Sequence, residues 1–508
     1  MKQKCFLTEE IFMNDNTLSM DSEQFCSKTK PEYTKADRVL SVVVMAAAFG
    51  FVRYVLFHAT GFITTGLFIA FITAAILYLR NRKCEFSGFN KLLTVILYVF
   101  SIVFSITANN FIKVLDAMFL FIAGAYMIYS VGAGNKNIDR FLPFAMIKSL
   151  LEYPFAGFGA QGSIASDTMS DSKTGKNIKL IIIGLIITLP LTAIVAALLM
   201  SADKGVENML SRLFEGLDSG EFWNIVIELI FALPFSMYIF GMFYTSTHCD
   251  EERRLDERKC IQRIYSMRFI SNLICYTAVT PICVLYVMFF ISQTRYFLSA
   301  FMGSLPDGFT YADYARRGFF ELFAVALINL GVLCFISLHS KKAGREKPFT
   351  LKLYSIVLSV FTLILIATAI SKMVMYISRY GLTELRVYTS WFMVLLAAVF
   401  VLIIVKQFRF DMKFSKHLAV IFTVMFAALC FSRPEALIAK YNIEMYESGY
   451  LKELDTEALL DMSDDARLVA LESGVVTEEE ISWCKYSGYE GHSYGRYNIS
   501  SVMLDSKT

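Results

Sequence analysis

The sequence predicts an all-α fold, a polytopic transmembrane helix bundle, and three observations predict it. The 508 residues are 56% hydrophobic and only 18% charged, against roughly 45–50% and 25% in soluble domains. Apolar runs of about 20 residues, the length a helix needs to cross the hydrocarbon layer, recur along the chain. Lysine and arginine are sorted onto alternate connecting segments, as in multi-spanning proteins. Mean hydropathy is +0.52. With 46 Phe, 26 Tyr and 23 Met against 9 Pro, the composition excludes disorder, collagen and a water-soluble enzyme. A dispersed net charge of +3 argues against a nucleic-acid partner. The expected surrounding is the lipid bilayer.

Eleven spans are predicted. They are Val39–Phe57, Gly61–Leu79, Leu92–Ala108, Phe111–Ser130, Ile178–Met200, Phe222–Tyr244, Phe269–Ser292, Gly318–Leu338, Leu351–Ile377, Tyr388–Val405 and Leu418–Ser432. Pro190, Pro234 and Pro281 interrupt three of them, which a bundle tolerates when neighbours satisfy the freed backbone groups. Basic residues fill the segment before the first span and every second loop after it. Lys28 to Arg38, Arg80 to Lys91, Lys136 to Lys176, Arg253 to Arg268, Lys341 to Lys347 and Lys406 to Lys416 fall on that side. The intervening loops are poor in them. The expected topology therefore has the amino terminus inside and the carboxyl terminus outside.

This divides the chain into a cytoplasmic tail over 1–38, a bundle over 39–432 and an extracytoplasmic helical tail over 433–508. Nothing at the start resembles a cleavable signal. Between the fourth and fifth spans, Phe141, Leu142, Phe144, Ala145, Ile147 and Leu151 set against Arg140, Lys148 and Glu152 predict an interfacial amphipathic helix near 140–153. It is expected to end before Pro154. Asn208–Leu217 predicts a second such helix on the opposite face.

The tail reads as short helices closed by glycine. Pro434 suits a first helical position, and Leu437, Ile438, Tyr441 and Met445 share one face before Gly449. Asp455 or Thr456 caps a second helix, Ser463 a third that ends near Gly474. Thr477 with Glu480 forms a capping box for a fourth, closed by Gly488.

The predicted topology puts Cys5, Cys26, Cys84, Cys249 and Cys260 inside and leaves Cys484 alone outside, so no disulfide framework is expected there. His58, His248, His339, His417 and His492 are far apart, and CxxC, HExxH, phosphate-loop and dinucleotide patterns are missing. No cofactor or metal is expected.

Ionisable residues inside spans carry the functional signal, because they are costly there. Arg53, Lys113, Asp116, Glu228, Glu321 and Lys372 each fall one to two turns from the predicted outer end of a span. Together they suggest a polar cavity open to the outside. Snorkelling is the plain alternative for Arg53 and Lys372, and pairing between helices accounts for either sign. Two further segments, Tyr311–Leu322 and Tyr380–Tyr388, mix Arg, acid and Tyr. In them Asp313, Arg316, Arg317, Glu384 and Arg386 are candidate contacts for an anionic ligand; the tyrosines suit interfacial anchoring.

Those two segments resemble signature stretches of a bacterial membrane-protein family known only as domain of unknown function 4173/4153. Leu199-Met200-Ser201-Ala202-Asp203, Ile438-Ala439-Lys440-Tyr441-Asn442-Ile443 and Ser463-Asp464-Asp465-Ala466 resemble it too. Arg496-Tyr497-Asn498-Ile499-Ser500 resembles its end, with Tyr494 and Tyr497 where a tryptophan is expected. The similarity spans roughly residues 90–505. It implies a multi-pass protein of the bacterial cytoplasmic membrane and no established activity.

Three functions compete. Transport follows if the intramembrane acids line a cavity, although no inverted repeat is visible. A sensor, scaffold or assembly factor follows from the helical tail, with an envelope protein as partner. A membrane enzyme acting on phosphorylated or lipid-linked substrates would use Asp313, Glu321 and Glu384 beside arginines.

Overall fold

Helices form wherever the apolar runs allow the backbone to satisfy itself, and among the described residues no strand forms. The computed structural model describes residues 33–57, 60–134, 141–170, 220–248, 255–302, 319–341, 348–409, 412–488 and 497–507, with four isolated positions between 188 and 199. Ten helices among these are long and apolar enough to cross a membrane. They match ten of the eleven predicted spans. The remaining span, Ile178–Met200, is described at those four positions alone, and the helix expected at Asn208–Leu217 lies outside the described residues.

The first group of spans begins with α1 (Lys35–Phe51), capped by Thr34 and Asp37 and running on through a wider turn at Val52–Phe57. It continues with α2 (Phe62–Asn81), then α3 (Gly88–Ser101) and α4 (Val103–Ile106), which share one span broken at Ile102. Next comes α5 (Asn110–Gly132), capped by Asn109. Thr107 is extended (φ −105°, ψ 147°), so the chain between α4 and α5 turns with its backbone open to partners.

After α5 the structure departs from expectation. Helix α6 (Leu142–Ile147) passes through a wide turn at Lys148–Glu152 into α7 (Tyr153–Ala156). Pro154 does not end the helix, because it sits at the start of a fresh turn, where its missing N–H costs nothing. Tyr153 and Pro154 are buried. A further helix, α8 (Ala160–Ser170), follows. Both pack on α9 (Gly220–Thr247), at a crossing where Gly157 meets Gly241. A Cβ on Gly157 would lie 2.8 Å from the Gly241 Cα, so only glycine permits this approach.

A second group starts after α10 (Glu257–Ser266), a basic helix capped by Asp256. It comprises α11 (Asn272–Met302), α12 (Phe319–His339), α13 (Phe349–Tyr380) and α14 (Glu384–Phe408). The last span, α15 (Phe414–Phe431), returns to the first group. Its Phe426, Leu429 and Cys430 join the core formed by α1, α2, α3, α5 and α9. Trp391 of α14 donates to the Met425 carbonyl at 2.9 Å, joining the two groups.

The tail helices are α16 (Pro434–Glu447), α17 (Thr456–Asp461), α18 (Asp464–Glu472), α19 (Glu478–Gly488) and α20 (Ile499–Asp505). The first four fall where turn chemistry puts them. Gly449 and Gly474 are left-handed, at φ 76° and 71°. The Thr477–Glu480 box forms, with the Thr477 amide donating to Glu480 Oε2 at 2.8 Å. Helix α20 was not anticipated. Ala439, Ile443, Leu459, Ala466, Leu468, Ile481 and Leu504 give the tail a core of its own, one too small to be comfortably stable alone.

Candidate functional site at the tail-bearing end of the bundle

Two carboxylates, on neighbouring tail helices, tie the tail to the spans. Asp465 is in the first turn of α18 and fully buried. Its Oδ2 accepts from Thr107 Oγ1 at 2.5 Å and from the Ala108 amide at 2.9 Å. Its Oδ1 accepts from Arg433 Nε at 3.1 Å, from Arg433 Nη2 at 3.0 Å, and from the Ser500 hydroxyl. One carboxylate thus holds the open turn before α5, the left-handed residue before α16 and the start of α20. Every acceptor site is used, which is what a buried charge requires.

Glu435, 4% exposed, makes the second tie. Its Oε1 accepts from Asn109 Nδ2 and its Oε2 from the Ser463 amide at 2.8 Å and the Ser463 hydroxyl. Asn109 also caps α5 through the Ile112 amide at 2.8 Å and donates to the Tyr388 hydroxyl of α14 at 2.9 Å. Burial pushes the Glu435 carboxyl up to about 7; the Ser463 donors pull against this and the adjacent Glu384 carboxyl adds to it. Two backbone contacts extend the seam. The Phe62 amide donates to the Tyr497 carbonyl at 2.8 Å, and Asn442 bonds both the amide and carbonyl of Leu382 at 2.7 and 2.9 Å.

The six predicted span charges are placed as follows. Arg53 and Glu228 pair at 3.3 Å, with Glu228 only 2% exposed. Lys113 donates to the Thr60 carbonyl at 2.6 Å and stands within electrostatic reach of Asp465, Asp464 and Glu435. Asp116 is fully buried beside Cys430 of α15, and neither of its oxygens has a hydrogen-bond partner. Lys372 stands within electrostatic reach of Glu321 in the second group, and Glu321 is exposed. Two cavities among the described residues, one between α1, α2, α5 and α9 and one between α11 and α12, are lined by apolar side chains, and none of the six lines either.

Asp313, Arg316 and Arg317 lie outside the described residues. Arg386 donates to the carbonyls of Tyr380 (3.1 Å) and Gly381 (2.5 Å) and lies over the Tyr376 ring. It clamps its own turn. Glu384 opens α14 next to Glu435. Among the described residues no group of three or more His, Cys, Asp or Glu is placed to hold a metal ion.

The residues that build this seam, Thr107, Asn109, Arg433, Glu435 and Asp465, were not singled out as site residues from sequence. Asp465 and Ser463 do belong to a stretch that carries the family resemblance. A family profile described as Domain of unknown function (DUF4153) matches residues 92–473. The chain belongs to the DUF4153 family. The matched region takes in α3 to α18, and with them Thr107, Asn109, Arg433, Glu435 and Asp465. It stops before α20, so the Ser500 contact lies beyond it. No curated protein and no solved structure matches the chain. This DUF4153 member is a multi-pass, all-helical membrane protein.

Proposed function

We propose that this DUF4153 protein is a membrane-embedded scaffold or sensor that presents its tail helices to an envelope protein in a pose fixed by the spans. The observation that carries this reading is Asp465, a tail carboxylate whose partners include the break between two membrane helices. A tail joined this way follows any shift of α4 against α5, and a partner's pull on the tail reaches the same turn. The tail also offers a contact surface. Trp483 is 73% exposed, Tyr450 68% and Leu437 51%, large groups on two tail helices and the turn after α16 that are otherwise studded with charge.

The test is site-specific photo-crosslinking in intact cells from Leu437, Tyr450 and Trp483. Discrete protein adducts are expected, lost in Asp465→Asn at equal membrane abundance. Adducts to lipid alone, or a pattern untouched by Asp465→Asn, overturn the reading.

Transport stands second, favoured by one observation: Asp116 is fully buried within a span with both oxygens unbonded. Such a group costs stability and is kept for a reason. On that reading Asp116→Asn abolishes solute flux in proteoliposomes while the tail crosslinks persist.

A further inference from the structure

We infer that the cleft between α11 and α12 binds one molecule of an anionic phospholipid, its phosphate at Arg268, Asn272 and Ser340 and an acyl chain along the groove. The inference stands apart from the scaffold reading and rests on the opposite end of the bundle. There the chain entering α11 pairs with the chain leaving α12 in a single bridge, Ile270 to Ser340. The Ile270 amide donates to His339 at 3.2 Å and the Lys341 amide to Ile270 at 3.0 Å. Within two residues of this bridge lie three side chains with unsatisfied buried atoms: Arg268 Nε, Asn272 Oδ1 and Ser340 Oγ. Ser340 is fully buried. Buried polar atoms are nearly always paired, so three orphans at one bridge mark a missing partner.

The chemistry of the three points to an anion. The Arg268 guanidinium is held over the Tyr265 ring at 4.7 Å, which fixes its direction. A serine hydroxyl donates, and an asparagine amide donates once its oxygen and nitrogen are exchanged, an assignment set by partners. The amino terminus of the 31-residue α11 adds the positive end of its dipole at the same place. Arg258, Lys259 and Arg263 precede Arg268 on the adjoining α10 and Lys341 follows Ser340, so the sequence flanking the bridge is rich in positive charge of the kind that draws anionic headgroups.

A second observation makes the ligand a lipid. A cleft of about 410 Å³ runs from Ile270 between α11 and α12, lined by Ile274, Ile282, Ile328, Gly331 and Phe335 among others. Its volume lies in the range of roughly 300–1,000 Å³ usual for ligand sites. Both helices pack along α13 and meet through the Tyr286 hydroxyl, which donates to Asn329 Oδ1 at 2.6 Å; among the described residues the cleft lies on the Ile270 side of that contact. Gly331 in mid-helix widens it, since a Cβ there would meet nothing within 4 Å. The polar orphans thus flank Ile270, which both forms the bridge and lines the apolar slot, the arrangement of a phospholipid's head and tail.

The test uses the purified full chain in detergent micelles, titrated with phosphatidylglycerol carrying a fluorescent acyl chain and with the matching phosphatidylcholine. The anionic lipid should bind at least tenfold more tightly. Arg268→Gln should erase that preference, and Gly331→Leu, which fills the groove, should weaken both lipids. Ser340→Ala, a smaller change, gives the same reading should Arg268→Gln fail to fold. Excess inorganic phosphate should not displace the probe. Equal affinity for the two lipids, indifference to Gly331→Leu, or displacement by inorganic phosphate alone would each overturn the inference; the last would identify a free-anion site.

Discussion

Replacing Asp465 by alanine isolates what holds the tail to the spans. The substitution strips Thr107, Ala108, Arg433 and Ser500 of their common acceptor at once. Removing one partner of a buried pair costs roughly 3–5 kcal/mol, because the surviving charge is left desolvated. Arg433 is 29% exposed on its side chain and can recover part of its hydration, so the low end applies. A cost of about 3 kcal/mol lowers the docking equilibrium about a hundredfold. Amide exchange on α16 and α18, measured on the full chain in nanodiscs, should accelerate by that factor. The neighbouring residue is the control. Asp464 forms an ion pair with Arg467 at 3.2 Å, with both side chains 18% exposed, so Asp464→Ala should cost under about 1 kcal/mol. Equal exchange rates in the two variants would refute the argument.

Tail docking should also depend on pH through Glu435. Its carboxyl is raised from 4.5 to about 7 in the folded state, so the folded protein holds the proton more tightly. Docking should therefore strengthen as pH falls from about 7 towards 4.5, and Glu435→Gln should flatten that slope of tail exchange; an unchanged slope counts against the assignment. Gly241→Ala should destabilise by about 1–3 kcal/mol, because its Cβ would meet the Gly157 carbonyl carbon at 2.8 Å. Gly124→Ala, with open space around it, should stabilise by about 0.5–1 kcal/mol, and thermal melting in detergent separates the two. Arg53→Met should lower the melting temperature more than Glu228→Gln, since the first leaves a 2%-exposed carboxylate without that guanidinium while the second leaves a cation able to reach water. The reverse order would contradict the pairing.

The bundle was legible because its signal is local: a run of apolar residues long enough to span needs no knowledge of its neighbours. The tail was legible for a similar reason, since Gly449, Gly474 and the Thr477–Glu480 box declare their turns within four residues. Pro154 was misread because a proline is compatible with a helix that restarts at it, and only the packing of Tyr153 under α9 shows that it does. The partners of the charged residues were not legible. Depth in a span can be counted from sequence, but the direction of a side chain around the helix cannot, and Arg53, Asp116 and Lys372 turn out to face different neighbours. Asp464 and Asp465 are the sharpest case. They are adjacent and chemically identical, yet one is partly exposed beside Arg467 and the other bonds Thr107, which precedes it by 358 positions. No local pattern distinguishes them; the rotation of α18 on the bundle does.

The central claim, that the tail is docked on the membrane helices as one body, is tested most directly by joining the two. Cysteines placed at Phe62 and Tyr497, whose backbones hydrogen-bond at 2.8 Å, in a chain otherwise free of cysteine, would be treated with a short bismaleimide in native membranes. Near-complete intramolecular crosslinking is the result expected, and Asp465→Ala should reduce it sharply. Two freely alkylated cysteines with no crosslink would show a tail that swings clear of the spans, and the account would be wrong.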